Sequence, residues 1–312
     1  MPNIDFRDPT WKIASALSGN LSAFLSDLMI IRYLNQLLPS SIDPALGPMK
    51  RGVEMKIRRL SAKEKAIAKR WAAEEDVQER VAELDDIAKT VTRIAMLTHR
   101  IPKFVREMSL VYLVASFEDS LASDLGIVFA QRPECMKSAS KTLTYEDVFG
   151  ADNLDVIKEK TVEKEVAEIM GNNIDLIGTR LSERFNIDLR KTPRWDAFAE
   201  CFYRRNILIH NAGYVNEKYR SMTKYKGKSR RLDVTKDYLE GATGIFEEYA
   251  NLVWKKFHHK FCRNQPEITV ELLLGVSHEK FIKLLDDPSL VYKIGAKDAP
   301  GLSAYHTTSS HP

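Results

Sequence analysis

Residues 61–101, SAKEKAIAKRWAAEEDVQERVAELDDIAKTVTRIAMLTHRI, contain no glycine and no proline, and their apolar residues recur every three or four positions instead of alternating. That period belongs to a helix. Val77, Val81, Leu84, Ala88, Val91 and Ala95 keep a 4-3 spacing, the seam of a short coiled coil. Ser61 followed by Glu64 has the form of a capping box, so one helix or two end-to-end helices start here and reach roughly 60 Å at 1.5 Å per residue. The seam can pair with another helix of the same chain, which asks for less, or with a second copy. Lys63, Lys65, Glu74, Glu75 and Asp76 read as its solvated face.

The same period extends in both directions. Toward the N-terminus, Leu17, Leu21, Phe24, Leu28, Ile31 and Leu34 mark a helix between Trp11 and Leu38, closed by Pro39 and a Ser, Pro and Gly-bearing linker that reaches Gly52. This piece reads as an accessory hairpin arm. Beyond Pro102, Val111, Val114, Leu121, Leu125 and Val128 form a second stripe, with Phe117 and Phe129 beside it. A polar stretch from Arg132 to Thr142 precedes a long amphipathic run from Leu154 to Phe185, which Gly171 and Gly178 are able to interrupt. Thr192 and Pro193 read as an N-cap with proline at the first helical position, opening a helix that ends near Asn211, Ala212 and Gly213. The last substantial helix runs from about Thr235 to Phe261. No strand pattern is long enough to build a sheet, so the chain reads as all-α. The expected division is an N-terminal helical arm over 1–100, a helical domain over 101–263, and a short helix with a flexible tail over 264–312.

Composition narrows the classes. The 312 residues are 44% apolar and carry 47 Lys and Arg against 43 Asp and Glu, a net charge of +4. That describes a globular chain with ample core, and the excess charge is too small to identify a nucleic-acid binder by itself. Cys135, Cys201 and Cys262 are far apart and form no C-x-x-C pair, which excludes a disulfide framework and a zinc knuckle and favours a reducing compartment. The N-terminus lacks a basic and an apolar leader region, and the apolar stretch from Leu21 to Leu38 is interrupted by Asp27 and Arg32. A cytoplasmic protein without secretion signal or membrane span is expected.

The stretch richest in chemistry is Tyr203-Arg204-Arg205-Asn206-Ile207-Leu208-Ile209-His210-Asn211, near the end of a predicted helix. Its neighbours Trp195, Phe198, Phe202, Ile207 and Ile209 are core formers, so polar groups among them need partners or a task. Two readings stand side by side. In one, His210 caps the helix C-terminus and Arg205 extends its stem to water. In the other, Arg205, Asn206 and His210 form a site. Asn206 and His210 are one turn apart, whereas Arg205 and His210 differ by roughly 140° around an ideal helix. A compact site then requires Arg205 to reach around, a distorted helix end, or the same motif from a second chain across a two-fold axis. Glu118 sits on the apolar stripe of its own helix, unlike Asp119 and Asp124, which read as solvated; a carboxylate there calls for a cationic partner.

The segment RRNILIHNAGYVNEKY, Arg204 to Tyr219, resembles the HEPN superfamily of helical ribonucleases, whose hallmark is Arg-x(4–6)-His, often with Asn after the Arg. Tyr112 to Leu125 resembles the first core helix of that family and Leu232 to Phe257 its closing helix, so the likeness covers about half the chain. It implies a HEPN-like helical bundle with an N-terminal helical extension and metal-independent endoribonuclease activity at a homodimer interface, without cofactor. The products it implies are 2′,3′-cyclic phosphate and 5′-hydroxyl ends. His210 would exchange protons with the ribose 2′-OH and the leaving oxygen. Arg205 would meet charge building on the phosphate, with Arg204 as a second contact, and Asn206 would orient either partner. An acidic residue at the place of Glu118 often faces the Arg-His pair in this family, so Glu118 is expected to hold Arg205 or His210. Family toxins silenced by nucleotide transfer carry a tyrosine two residues after the histidine; here that position is Ala212.

Immediately after this motif, Lys218, Arg220, Lys224, Lys226, Lys228, Arg230 and Arg231 face a single acid, Glu217, with Tyr219 and Tyr225 interleaved. Such a loop can neutralise phosphates and stack on unpaired bases, and it can also be a solvated loop. The loop suggests an RNA partner, and the family resemblance implies an RNA substrate, a second copy of the chain and a regulatory or antitoxin protein, in toxin-antitoxin or anti-phage defence. The alternative is a non-catalytic helical RNA-binding, nucleotide-binding or scaffold module of a larger defence assembly.

Overall fold

The computed structural model describes residues 9–67, 74–136, 142, 144–171 and 173–262. They form α1 (Pro9–Ile67), α2 (Glu74–Ala95), α3 (Ile101–Gln131), α4 (Tyr145–Phe149), α5 (Leu154–Met170), α6 (Ile174–Phe185), α7 (Trp195–Asn211), α8 (Glu217–Thr223) and α9 (Lys236–Phe261). A π-helical turn, Met96–Arg100, joins α2 to α3 without a break. The fold is all-α; among the described residues the only β pairing is an isolated antiparallel bridge between Tyr214 and Arg231.

One core holds the bundle together, and α1 supplies a wall of it. Ile13, Leu17, Phe24, Leu28 and Ile31 are buried in the same cluster as Leu113, Phe117, Leu121, Phe198, Phe246 and Tyr249. Phe117 is the hub. Its ring meets Phe24, Phe198, Phe202 and Phe246 edge-on at 5.2–6.3 Å between centroids, an arrangement in which positive ring edges point at negative faces. The polar residues that interrupt the apolar run of α1 are satisfied inside the bundle. Asp27 accepts from Tyr112 and Ser116 of α3, while Arg32 pairs with Glu247 of α9 at 2.7 Å. By length and composition Pro9–Leu37 would suffice to cross a membrane, but its apolar face is spent on this core.

Several boundaries differ from the expectation. Residues 9–37 are part of the bundle and not an accessory arm, because their stripe covers α3 and α9. The backbone of α1 also stays helical through Pro39, Pro44 and Pro48, each of which removes an N–H from the ladder. Ser61 therefore lies inside α1 and starts no helix. What does project is a stalk made of the second half of α1 and of α2, joined by Lys56 to Asp86. The pairings of Asn20 with Asp124, Asp27 with Ser116 and Lys56 with Asp86 hold one antiparallel register. That register sets Pro44 level with Thr98, inside the π-helical turn.

The remaining expectations are met in part. The run from Leu154 breaks where Gly171, at φ +31°, ends α5. Gly178 stays within α6, where a Cβ would lie 3.2 Å from the Trp195 ring, so its small size sets how closely α6 and α7 approach. Thr235 caps α9 by accepting from the Tyr238 amide. Pro193 lies in the turn before α7 and not in its first turn, and Ile209 is exposed. Residues 263–312, with the predicted short helix and tail, lie outside the described residues.

Candidate functional site

The crossing of α3 and α7 builds the site. Phe117 packs on Phe198 and Phe202, and the next residue on α3, Glu118, thereby comes to face Arg205 on α7. Nη2 of Arg205 donates to both carboxylate oxygens of Glu118 at 2.7 Å. Both side chains are half-buried, at 21% and 30% exposure, which shelters the pair from solvent screening without sealing it. Burial pushes the Glu118 carboxyl above its ordinary pKa, and the charge and hydrogen bonds of Arg205 offset part of that rise. The Nε of Arg205 is buried with no hydrogen-bond partner, so the contact engages one arm of the guanidinium and not the whole fork.

Glu118, Arg205, Asn206 and His210 line one open cleft of about 860 Å³, with Lys218 and Asn216 at the α8 side and Met170 and Gly171 at the end of α5. His210 is exposed in the last turn of α7. Of the two partners expected for Glu118, the structure gives Arg205. The angular separation of Arg205 and His210 on α7 remains; the cleft joins them because α7 forms its wall and both side chains border the same space. Asp119, Ala122, Tyr203 and Met222 also line it and were not anticipated. Asp119 could have been found as the neighbour of Glu118, and Asn216 as the cap of α8, where it accepts from the Tyr219 amide.

Two residues leave the set expected to touch RNA. Arg204, next to Arg205, turns the other way. Its Nε donates to Glu200 at 2.7 Å, its Nη1 donates to the Asp233 carbonyl at 3.0 Å, and its guanidinium lies 3.8 Å above the Tyr238 ring. Tyr219 is 3% exposed and donates its hydroxyl to the same Glu200 carboxylate. Burial and Glu200 both push the Tyr219 phenol upward. Tyr238 donates to the second oxygen of Glu200 at 2.6 Å. Arg204 and Tyr219 thus form a clasp that binds α7, α8 and α9 around one carboxylate, and the Tyr219 hydroxyl is committed to it although the residue also borders the cleft.

The remaining basic residues divide by their ties. Arg220 donates to the Gly227 carbonyl at 3.3 Å and stands over Tyr225, which is half-buried against Tyr219. Arg231 pairs with Glu107 at 3.5 Å and stands 6.0 Å from the ring centroid of Tyr214, whose exposure is 52%. Lys226, Lys228 and Arg230 are exposed on the loop. Lys224 is exposed at the start of the loop and borders a second cleft, with Asp175, Trp195 and Asp237. The ends of the loop are stitched to the motif: the Val215 amide donates to Arg230 and the Leu232 amide to Gly213.

The chain matches no protein-family model, no curated protein and no solved structure.

Proposed function

We propose that the chain is a HEPN-type endoribonuclease that cleaves RNA without a metal ion. The observation that carries this reading is the meeting of Glu118, Arg205, Asn206 and His210 in one cleft bordered by Lys218. In the proposed reaction the imidazole of His210 takes the proton of a ribose 2′-OH, the 2′-oxygen attacks the adjacent phosphorus, and the 5′-oxygen leaves after receiving a proton. The products are a 2′,3′-cyclic phosphate and a 5′-hydroxyl. Negative charge grows on the phosphate during attack, and Arg205 stabilises it with the donors not engaged by Glu118. Asn206, one turn before His210, orients the imidazole or the phosphate. Glu118 acts as a positioning residue, holding Arg205 at the cleft wall. A second copy of the chain completes the cleft in this reading, and the exposed Lys226, Lys228 and Arg230 steer single-stranded RNA toward it. A reducing, cytoplasmic setting in toxin-antitoxin or anti-phage defence, under a regulatory protein, fits the three free thiols and the family resemblance.

One observation favours the non-catalytic alternative, an RNA-binding or scaffold module: the guanidinium of Arg205 is already neutralised by Glu118. The two readings separate on RNA incubated in chelator with wild type, Arg205→Ala, His210→Ala and Glu118→Gln. Cleavage lost in the first two variants and reduced in the third supports the nuclease. A folded Glu118→Gln protein that cleaves like wild type removes Glu118 from the site.

A further inference from the structure

The stalk is built from two helices of opposite charge. Residues 50–67 carry seven Lys and Arg against two acids, whereas Glu74–Ala95 carries seven acids against three bases. Their pairing through Lys56 and Asp86 leaves most of the apolar material uncovered. Leu46, Val53 and Ile87 are buried between the helices. Met55, Ile57, Val81, Leu84, Val91 and Met96 are 45–60% exposed. Among the described residues of the stalk, more large apolar side chains are exposed than are buried. A two-helix hairpin has no third element with which to cover them, and a seam with coiled-coil spacing stabilises a helix only when it is packed.

The exposed residues are not scattered. Val81, Leu84, Ala88 and Val91 keep the 3-4-3 spacing of a coiled-coil seam, centred roughly 80° around α2 from the inward-facing Ile87. The register that joins Lys56 to Asp86 sets Ile57 level with Asp85, beside Leu84. The seam and Ile57 therefore share one long face of the stalk.

We propose that a second copy of this chain covers that face, stalk against stalk, about a two-fold axis running along the stalks. Charge selects this arrangement. Two identical hairpins meeting face to face about an axis along their length set the acidic α2 of each against the basic stretch of α1 of the other. An axis across the stalks sets acid on acid and base on base, which costs free energy and favours separation. The selected arrangement is a four-helix bundle in which each neighbouring pair is antiparallel and opposite in charge, and both globular bundles sit at the same end. The assembly does not depend on the ribonuclease reading, and its test does not measure cleavage.

The test uses the full-length chain at micromolar concentration. Sedimentation equilibrium should give a dimer that weakens as salt rises. The Leu84→Glu/Val91→Glu double variant, altered only at exposed positions, should sediment as a monomer with unchanged helical circular dichroism, its dissociation constant raised roughly tenfold or more. Carbodiimide coupling of a mixture of isotopically light and heavy wild-type chains should give light-heavy links between Lys50 or Lys56 of one copy and Glu83 or Asp85 of the other. A wild-type monomer overturns the proposal, even if some other molecule binds the face. So does a dimer indifferent to the double variant, and so do light-heavy links that fail to join α1 of one copy to α2 of the other. The coupling experiment is done on wild type, so the proposal stays open to refutation if the double variant does not fold.

Discussion

Arg204 and Arg205 are consecutive and chemically identical, yet the fold gives them opposite tasks. Successive residues on a helix point about 100° apart. One guanidinium consequently closes a buried clasp with Glu200, Tyr219 and Tyr238, and the other reaches Glu118 in the open cleft. Asp124 shows the same dependence on what lies across the fold. It is buried and accepts a hydrogen bond from Asn20 at 2.7 Å, with burial pushing its carboxyl up to about 7. Because the folded pKa lies above the ordinary value of 3.8, the folded state holds the proton more tightly than the unfolded one. The contribution of this carboxyl to stability is therefore fully present at low pH and is lost as pH rises from about 4 through about 7, by up to about 4 kcal/mol if the whole shift is expressed. Asp124→Asn, which keeps an oxygen acceptor for Asn20 and removes the charge, should melt higher than wild type at pH 8 and remove most of that pH dependence. Equal melting temperatures for the two proteins at pH 8 would refute the assignment. At this scale the sequence was partly legible. The placement of Glu118 on an apolar stripe called for a cation, and Arg205 is that cation. Asp124 stands three residues after Leu121 and four before Val128, on the same stripe, so its burial was locally legible; its partner, 104 positions away, was not.

The start of α9 was legible at Thr235, whereas the capping-box signature at Ser61 falls inside α1 and the helix after Thr192 begins at Trp195. Asn153, Asn173, Asn216 and Thr235 each accept from amides of the first turn that follows. The end of α7 is less economical. Ala212 takes the left-handed conformation at φ 48° and Gly213 follows at φ 80°. Glycine suffers no Cβ clash there, whereas alanine does. Ala212→Gly should therefore stabilise the protein by about 0.5–1 kcal/mol, read from chemical denaturation, while Gly213→Ala should destabilise it. The opposite sign for Ala212→Gly would mean that the turn after His210 is held by forces other than its backbone. The three prolines of α1 show why the other boundaries were misplaced. Pro39 reads locally as a stop, but in the structure the helix continues through Pro39, Pro44 and Pro48 alongside α2 and α3.

At the scale of the whole molecule, the division at residue 100 fails because the core is shared. Ile13, Leu17, Phe24, Leu28 and Ile31 cover α3 and α9, so a chain beginning at residue 101 would expose a continuous apolar wall. Such a truncated protein should lack a cooperative thermal transition, whereas removal of the stalk between residues 49 and 92 with a short linker should leave one. Cooperative melting of the 101–312 fragment would contradict this account of the core. The all-α class and the amphipathic stripes were readable because helical periodicity is a local property. The pairing of α1 with both the bundle and α2 was not, since it depends on contacts up to 215 residues apart.

Whether the cleft between α3 and α7 cuts RNA is read from single-stranded RNA incubated with purified protein in excess chelator, with the product ends identified. Wild type should yield 2′,3′-cyclic phosphate and 5′-hydroxyl termini, and His210→Ala should yield none while keeping the wild-type melting curve. RNA left intact by wild type, or cleavage undiminished in His210→Ala, would contradict the account.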